Sequence, residues 1–241
     1  MGLSLTIDQG NSSAKVAVWD GDLPVDLSTF KAMTDDVITS LVARYDIDRA
    51  IFSSVTDYRD GLLSRLSAAG ISSIELTHGM RLPLVIDYAT PGTLGVDRIA
   101  AAVGAMSLHP GRELLVVDAG TAVTYDHVSA DGHFIGGNIA PGIGLRLKAL
   151  NAFTARLPLI NGRGETMLWG NSTESAMRSG AVNGVIAEIT YYHSKLSADA
   201  IVVLSGGWGH ELAPRLDFET DYQECLVNRG LNEILKYNET D

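Results

Sequence analysis

An α/β fold built twice, once in each half of the chain, is what this sequence predicts. Three observations carry the expectation. First, a short segment occurs twice, about a hundred residues apart. Leu3-Ser4-Leu5-Thr6-Ile7 runs into Asp8-Gln9-Gly10-Asn11-Ser12-Ser13 and the apolar alternation from Ala14 to Trp19. Leu114-Leu115-Val116-Val117 runs likewise into Asp118-Ala119-Gly120-Thr121-Ala122 and then Val123 to Val128. Both read as a β-hairpin whose tight turn opens with a carboxylate and contains a glycine. Second, the first hairpin leads into a β-β-β-α-β-α-β order, which argues for a mostly parallel sheet with an antiparallel hairpin at its edge. Third, the pattern restarts after the breaker His109-Pro110-Gly111.

Taken in order, strands 3–8 and 14–19 precede a third near Phe30. A helix over about 35–45 puts Val37, Ile38, Leu41, Val42 and Tyr45 on one face. Thr34 suits its N-cap, and Asp35 and Asp36 its first turn. A strand at 50–55, a helix at about 58–69 closed by Gly70, and a strand at 71–76 follow. Residues 80–110 read as an insertion with a strand at 84–88, a turn at Thr90-Pro91-Gly92-Thr93 and a helix over about 96–108. The second half predicts strands at 113–118, 122–128 and 133–139. Gly136-Gly137-Asn138-Ile139-Ala140-Pro141-Gly142 then leads into a helix carrying Ile143, Leu147, Leu150 and Phe153. A longer helix over about 172–196, a strand at 200–204, the turn Ser205-Gly206-Gly207-Trp208-Gly209 and a final helix near 232–237 complete the chain. Two domains are expected, 1–110 and 111–241, each large enough for its own core.

Of the 241 residues, 46% are hydrophobic and 20% charged, an ordinary globular balance. The net charge of −11 leaves no basic patch for a duplex or a membrane surface, which argues against both as partners. Cys225 stands alone, so neither a disulfide framework nor a cysteine metal cluster is expected. No apolar stretch is long enough for a membrane span, and the N-terminus has no secretory pattern, so a cytoplasmic protein is expected. The six histidines show no metal spacing and read as structural or surface residues. Trp19, Trp169 and Trp208 read as core or interface aromatics.

Each Asp-x-Gly turn can aim backbone N–H groups and small polar side chains into one concavity, which suits a phosphate. A carboxylate at the strand end can hold a hydrated cation beside it. Two such loops in two halves suggest a cleft that grips a polyphosphate from both sides. There is no G-x-x-x-x-G-K-[ST] loop and no G-x-G-x-x-G fingerprint after a strand, so P-loop and dinucleotide-binding folds are excluded.

This duplicated order, with a third glycine turn at Leu204-Ser205-Gly206-Gly207, resembles the acetate and sugar kinase, actin and hexokinase superfamily. Two ribonuclease H-like domains closing on ATP are then implied, an actin-like ATPase fold. Gly95-x-Asp97-Arg98, Gly136-Gly137-x-Ile139-x-Pro141-Gly142 and Asn171-Ser172-Thr173 followed by Met177-x-Ser179-Gly180 are similar to the motifs of the type III pantothenate kinase family, in the same order.

The resemblance implies ATP-dependent phosphorylation of pantothenate to 4′-phosphopantothenate at the start of coenzyme A synthesis. It implies that Asp8, Gln9, Gly10, Asn11, Ser12, Ser13, Ala14 and Lys15 form the first phosphate loop, with Asp8 near Mg2+ through water. Gly120, Thr121, Gly206 and Gly207 would meet ATP. Tyr88, Gly95, Val96, Asp97, Arg98 and Thr173 would hold pantothenate, with Asp97 the general base. Asp118 would bind a monovalent cation, K+ or NH4+. A homodimer with the acceptor site near its interface is also implied. The chain departs from the family at Ser12, in place of the usual Thr, and at Gln9, in place of an apolar residue. The alternatives are another small-molecule kinase or phosphatase of the superfamily, or a non-catalytic regulatory relative. Asp8, Asp97 and Asp118 argue against the last, because a binding-only protein has no use for a base.

Overall fold

A computed structural model describes residues 2–10, 13–54 and 59–239, with the side chains of 59 and 60 left aside. The site residues expected at Asn11 and Ser12, and the strand end and helix start expected within 55–58, lie outside the described residues. The chain divides into two compact units.

Unit 1 begins with the predicted hairpin. β1 (Leu3–Gln9) pairs antiparallel with β2 (Ala14–Asp20), which pairs in turn with β3 (Leu23–Phe30). Next come α1 (Asp35–Arg44), β4 (Ile47–Ser54), α2 (Arg59–Ala68) and β5 (Ser72–Glu75). Thr34 caps α1 as expected, its side chain accepting the Val37 N–H. β1, β4 and β5 run parallel, giving the order β3-β2-β1-β4-β5. The period of two sends Leu5, Ile7, Val16 and Val18 into one core with Ile38, Leu41, Leu62 and Leu66 of the two helices. Ser4, Thr6, Ala17 and Trp19 point to the other face and are buried as well.

That second face belongs to α3 (Val96–Leu108) and to α7 (Leu226–Glu239), which makes extensive contact with α3 and packs on β1, β2 and β4. The last helix, expected only near 232–237, therefore begins six residues earlier and lies in unit 1, although the sequence places it in the second domain. Asn228, Gly230 and Asn232 make its N-terminal part look like a loop, yet all three are buried. The strand expected at 84–88 shortens to β6 (Val85–Ile86), which pairs in parallel with His133 and Phe134.

Unit 2 repeats the plan. β7 (Leu114–Ala119) pairs antiparallel with β8 (Ala122–Val128), which neighbours β9 (His133–Pro141). β10 (Ile201–Ser205) and β11 (Thr220–Tyr222) run parallel to β7 on its other side. The order β9-β8-β7-β10-β11 is that of unit 1 strand for strand. Each unit therefore has the expected ribonuclease H-like arrangement, and the duplication seen in two hairpins extends to two whole sheets. α4 (Ile143–Phe153) and α5 (Thr173–His193) cover the sheet through Ile143, Leu147, Val182, Val185 and Ile189. The short α6 (Gly209–Leu212) and β11 were not foreseen.

A polar tie runs through this layer. Arg146 on α4 donates to both carboxylate oxygens of Glu188 on α5, at 2.8 and 2.6 Å, and its Nε donates to Pro141 O at 2.7 Å. Tyr125 on β8 donates to the same carboxylate at 2.6 Å, and burial holds its hydroxyl well above the usual tyrosine range, so it stays a donor.

Candidate active site

Asp8 and Asp118 hold equivalent posts, each one residue before the end of the central strand of its sheet. Asp8 faces Lys15 across the antiparallel pair and Ser53 across the parallel one, and Ser53 Oγ donates to its Oδ1 at 3.2 Å. Asp118 faces Thr124 and Ser205 in the same way. Strand alternation then turns the next side chain to the opposite face. Gln9 is buried, with its amide donating to Gly10 O at 3.0 Å.

Gly10 N–H donates to Ser13 O, and Gly120 N–H to Ala122 O, each at 3.0 Å. These two amides close their own turns. In the second loop Thr121, at the tip, is exposed.

The third glycine turn meets the second loop inside unit 2. Gly206 has φ +85, and a Cβ there would collide with Asp118 Oδ1 and lie 2.6 Å from the Ala119 carbonyl carbon. Trp208 N–H donates to Ala119 O at 3.1 Å, locking the two turns together. Gly142, at the start of α4, presses on the same loop and donates its N–H to Thr121 O at 3.0 Å. Around this junction lies a cavity of about 350 Å³, lined by Gly120, Thr121, Lys148, Arg163, Gly207 and Trp208 among others. Its size suits a nucleotide or part of one.

Three of these lining residues escaped the sequence reading. Lys148 follows Gly144 by one helical turn and so shares its face. Arg163 donates to Gly207 O at 3.2 Å, pairs with Glu211 and lies 5.1 Å over the Trp208 ring. Trp208 therefore packs on the unit 2 core, as the sequence suggests, and walls the cavity as well. The one available signal was its place directly after Gly206-Gly207.

Tyr88, Gly95, Val96, Asp97 and Arg98 come together in unit 1 at the start of α3. Gly95 is the N-cap, so Asp97 stands at the second helical position, with Oδ1 accepting the Arg98 N–H at 2.9 Å. It is half-buried. Arg98 is only 6% exposed and lies 6.0 Å from the Tyr88 ring centre and 5.6 Å from that of Phe134, while those two rings meet edge to face. Phe134 is another residue the sequence did not single out. His78 Nε2, 2.7 Å from Leu94 O, steadies the approach to the helix.

Thr173 stands apart from the cavity in its unit. It opens α5, exposed, immediately after a Ser172–Ser175 capping box that Asn171 joins through its N–H at 3.0 Å. The Asn171-Ser172-Thr173 motif thus has a local task, starting the helix, beside any role at a ligand.

No three His, Cys, Asp or Glu side chains cluster to hold a metal among the described residues. A divalent ion here would take most of its ligands from phosphate oxygens and water, as Mg2+ commonly does. Asp118 Oδ1 lies beside the Ala119 and Gly206 backbone, where a Cβ on Gly206 would collide with it. Among the described residues no helix is long and apolar enough to cross a membrane.

Known proteins bear on this geometry in two ways. A Campylobacter jejuni protein, assigned provisionally to the Baf family of transcriptional activators, is 24% identical, with a TM-score of 0.65 over 98% of this chain and 100% of its own. The activator of 2-hydroxyisocaproyl-CoA dehydratase from Clostridium difficile, solved with ADPNP bound, has a TM-score of 0.55 at 11% identity over 99% and 98%. Those likenesses establish the fold. A type III pantothenate kinase of Phocaeicola vulgatus is 40% identical over 240 residues, 98% of this chain and 99% of that one. Residues 4–195 match the sequence profile of the same family, from the first hairpin to the end of the long α5 helix. With the duplicated sheets, the paired aspartates and the Asp97-Arg98 helix start all inside these matches, the chain belongs to the type III pantothenate kinase family.

Proposed function

We propose that the chain transfers the terminal phosphoryl group of ATP to the 4′ hydroxyl of pantothenate, in the cytoplasm, with the residue roles that follow. The observation that carries the reading is the pairing on the first turn of α3. A half-buried carboxylate, Asp97, sits next to a buried guanidinium, Arg98, walled by Tyr88 and Phe134. An acceptor with a hydroxyl to be deprotonated and a carboxylate to be anchored matches that pair.

Phosphoryl transfer asks a protein for positioning and charge compensation more than for covalent help. In unit 1, Asp97 takes the proton of the attacking hydroxyl while Arg98 holds the acceptor's carboxylate. Lys15, across the hairpin from Asp8, faces the phosphates being cleaved. In unit 2, Thr121, Lys148 and Arg163 line the nucleotide cavity, with Gly206 and Gly207 giving the backbone room to approach. Asp8 would hold a Mg2+ ion through water, and the ion would supply charge neutralisation on the phosphates. Incubation of the purified protein with ATP and a panel of pantothenate, sugars and acetate tests the activity. Phosphopantothenate as the main product supports it, and phosphorylation of another acceptor or plain ATP hydrolysis sinks it.

Asp118 is proposed to hold a monovalent cation, since its carboxylate otherwise adds negative charge beside the phosphates. Activity should rise when K+ or NH4+ replaces Na+, and Asp118→Asn should lose that dependence. Equal rates in all three salts, with Asp118→Asn fully active, count against the assignment.

A homodimer is proposed through the outer face of α4 and α5. Pro141, Leu145, Ala149, Leu150, Phe153 and Ala181 line an apolar groove of about 650 Å³ there, and Phe153 is 88% exposed. An apolar patch of that kind marks an interaction surface. Light scattering should give twice the chain mass, and Phe153→Asp should shift it towards one chain. A monomeric wild type that is fully active overturns the proposal.

A further inference from the structure

α7 comes from the far end of the chain, yet it lies against both the first phosphate hairpin and the acceptor helix, all within unit 1. Its contact with the hairpin is a buried polar network. Asn228, 1% exposed, donates through Nδ2 to Thr6 O at 3.2 Å, Thr6 Oγ1 at 3.1 Å and Lys15 O at 3.1 Å. Trp19 Nε1 donates to the same Thr6 hydroxyl at 2.9 Å. One turn on, Asn232 donates to Gly21 O at 2.8 Å and accepts from Ser4 Oγ at 2.7 Å. Buried amides of this kind stay only where their partners are fixed, so each bond pins the strand it meets. Lys15 is the cross-strand partner of Asp8, and Thr6 lies two residues before it. Asn228 thus grips the base of the phosphate hairpin on both strands.

Its contact with α3 is a backbone approach. A Cβ on Gly230 would collide with Ala100 O and lie 2.9 Å from Gly104 N. On the facing side, a Cβ on Gly104 would collide with Leu226 O and lie 3.0 Å from Gly230 N. Two glycines, one per helix, let the backbones touch where any side chain would hold them apart. Ala100 is three residues from Asp97, less than a helical turn along a rigid element.

We infer that α7 is the spacer that sets the distance between the phosphate-holding hairpin and the Asp97 helix, with Asn228 and Gly230 as positioning residues. The inference rests on the roles given above to Lys15, Asp8 and Asp97. In-line transfer is intolerant of misplacement, and about 1 Å of error can cost on the order of 10²-fold in rate. A spacer that touches neither substrate can therefore govern kcat.

The test uses the full-length protein with Gly230→Ala, Asn228→Ala and, as a control, Leu235→Ala, which removes a buried side chain of the same helix that is part of neither the Asn228 hydrogen-bond network nor the Gly230–Gly104 approach. Melting temperatures place all three on one stability scale. Gly230→Ala should lower kcat on the order of 10-fold or more and raise the pantothenate KM, with ATP KM little changed. Asn228→Ala should raise the ATP KM instead. Leu235→Ala should melt lower yet keep kcat within about two-fold. Hydrogen exchange gives a readout that needs no activity. Gly230→Ala should deprotect the first turns of α3, and Asn228→Ala the β1–β2 hairpin, each locally. If the control loses as much kcat as the two variants, or if both variants keep wild-type kinetics, the spacer role is overturned. If the wild type does not phosphorylate pantothenate, the activity reading falls, and the exchange pattern still decides the spacer. Deprotection spread equally over all of unit 1 would then refute it.

Discussion

Asp97→Asn should lower kcat on the order of 10²–10⁴-fold, the usual worth of a positioned base, while leaving ATP binding and the melting temperature close to wild type. The separation is sharp because of where the residue sits. Gly95 is the N-cap, so Asp97 does not cap the helix, and its one described local bond is the Arg98 N–H held by Oδ1. The amide oxygen of Asn can accept that N–H equally well. What is lost structurally is one favourable charge near the helix N-terminus, worth about 0.3–1 kcal/mol. A large kinetic loss with that small thermal one can come only from proton transfer or from acceptor placement. The pantothenate KM divides those two, since misplacement of the acceptor raises it whereas loss of a base leaves it close to wild type. A kcat within a few-fold of wild type would refute the base assignment.

The fold was largely legible because its signals are local. Hydrophobic alternation and helical spacing gave both hairpins, the bounds of α3 and the start of α4 within a residue or two, and the repeated Asp-x-Gly turn revealed the duplication before any pairing was known. α7 was not legible in the same way. Its buried face includes Asn228 and Asn232, which by themselves suggest an exposed or broken segment. Their partners are Thr6 and Ser4, 222 and 228 residues away in sequence. No window of sequence contains both halves of such a bond, so neither the helix's length nor its membership of unit 1 could be read.

The candidate site divides along the same line. Asp8, Asp97, Arg98 and Asp118 stand in short contiguous motifs whose turn chemistry is visible. Lys148, Arg163 and Trp208 reach the unit 2 cavity, the proposed nucleotide site, from three separate segments. Arg163 in particular comes from a stretch with no helix or strand, and its place is set by Glu211 and the Gly207 carbonyl. Gln9 shows the converse. It lies inside a legible motif, but strand alternation turns its side chain into the core, which the motif alone does not reveal.

The neighbouring glycines of the third turn should respond to alanine in opposite ways. At Gly206 the backbone has φ +85, a region costing about 1–3 kcal/mol for a residue with a side chain. The added methyl also meets Asp118 Oδ1 and the backbone of Ala119, which is fixed by the Trp208 N–H. Backbone cannot yield as the end of a side chain can, so the turn or Asp118 must move. Gly206→Ala should therefore melt several degrees lower with no ligand present, at about 2–4 °C per kcal/mol for a chain of this size. It should also weaken ATP binding on the order of 10²-fold, as the lining of Gly120, Thr121 and Trp208 loses register. At Gly207 nothing lies within 4 Å of the added methyl, yet the residue lines the cavity. Gly207→Ala should melt with wild type when empty and lose affinity for ATP alone, because its methyl occupies space that the nucleotide needs. Calorimetric titration with ATP and thermal melts of both variants decide the matter. Wild-type ATP affinity in Gly206→Ala would mean that the turn is a mere connection between β10 and α6, and the nucleotide would have to bind elsewhere.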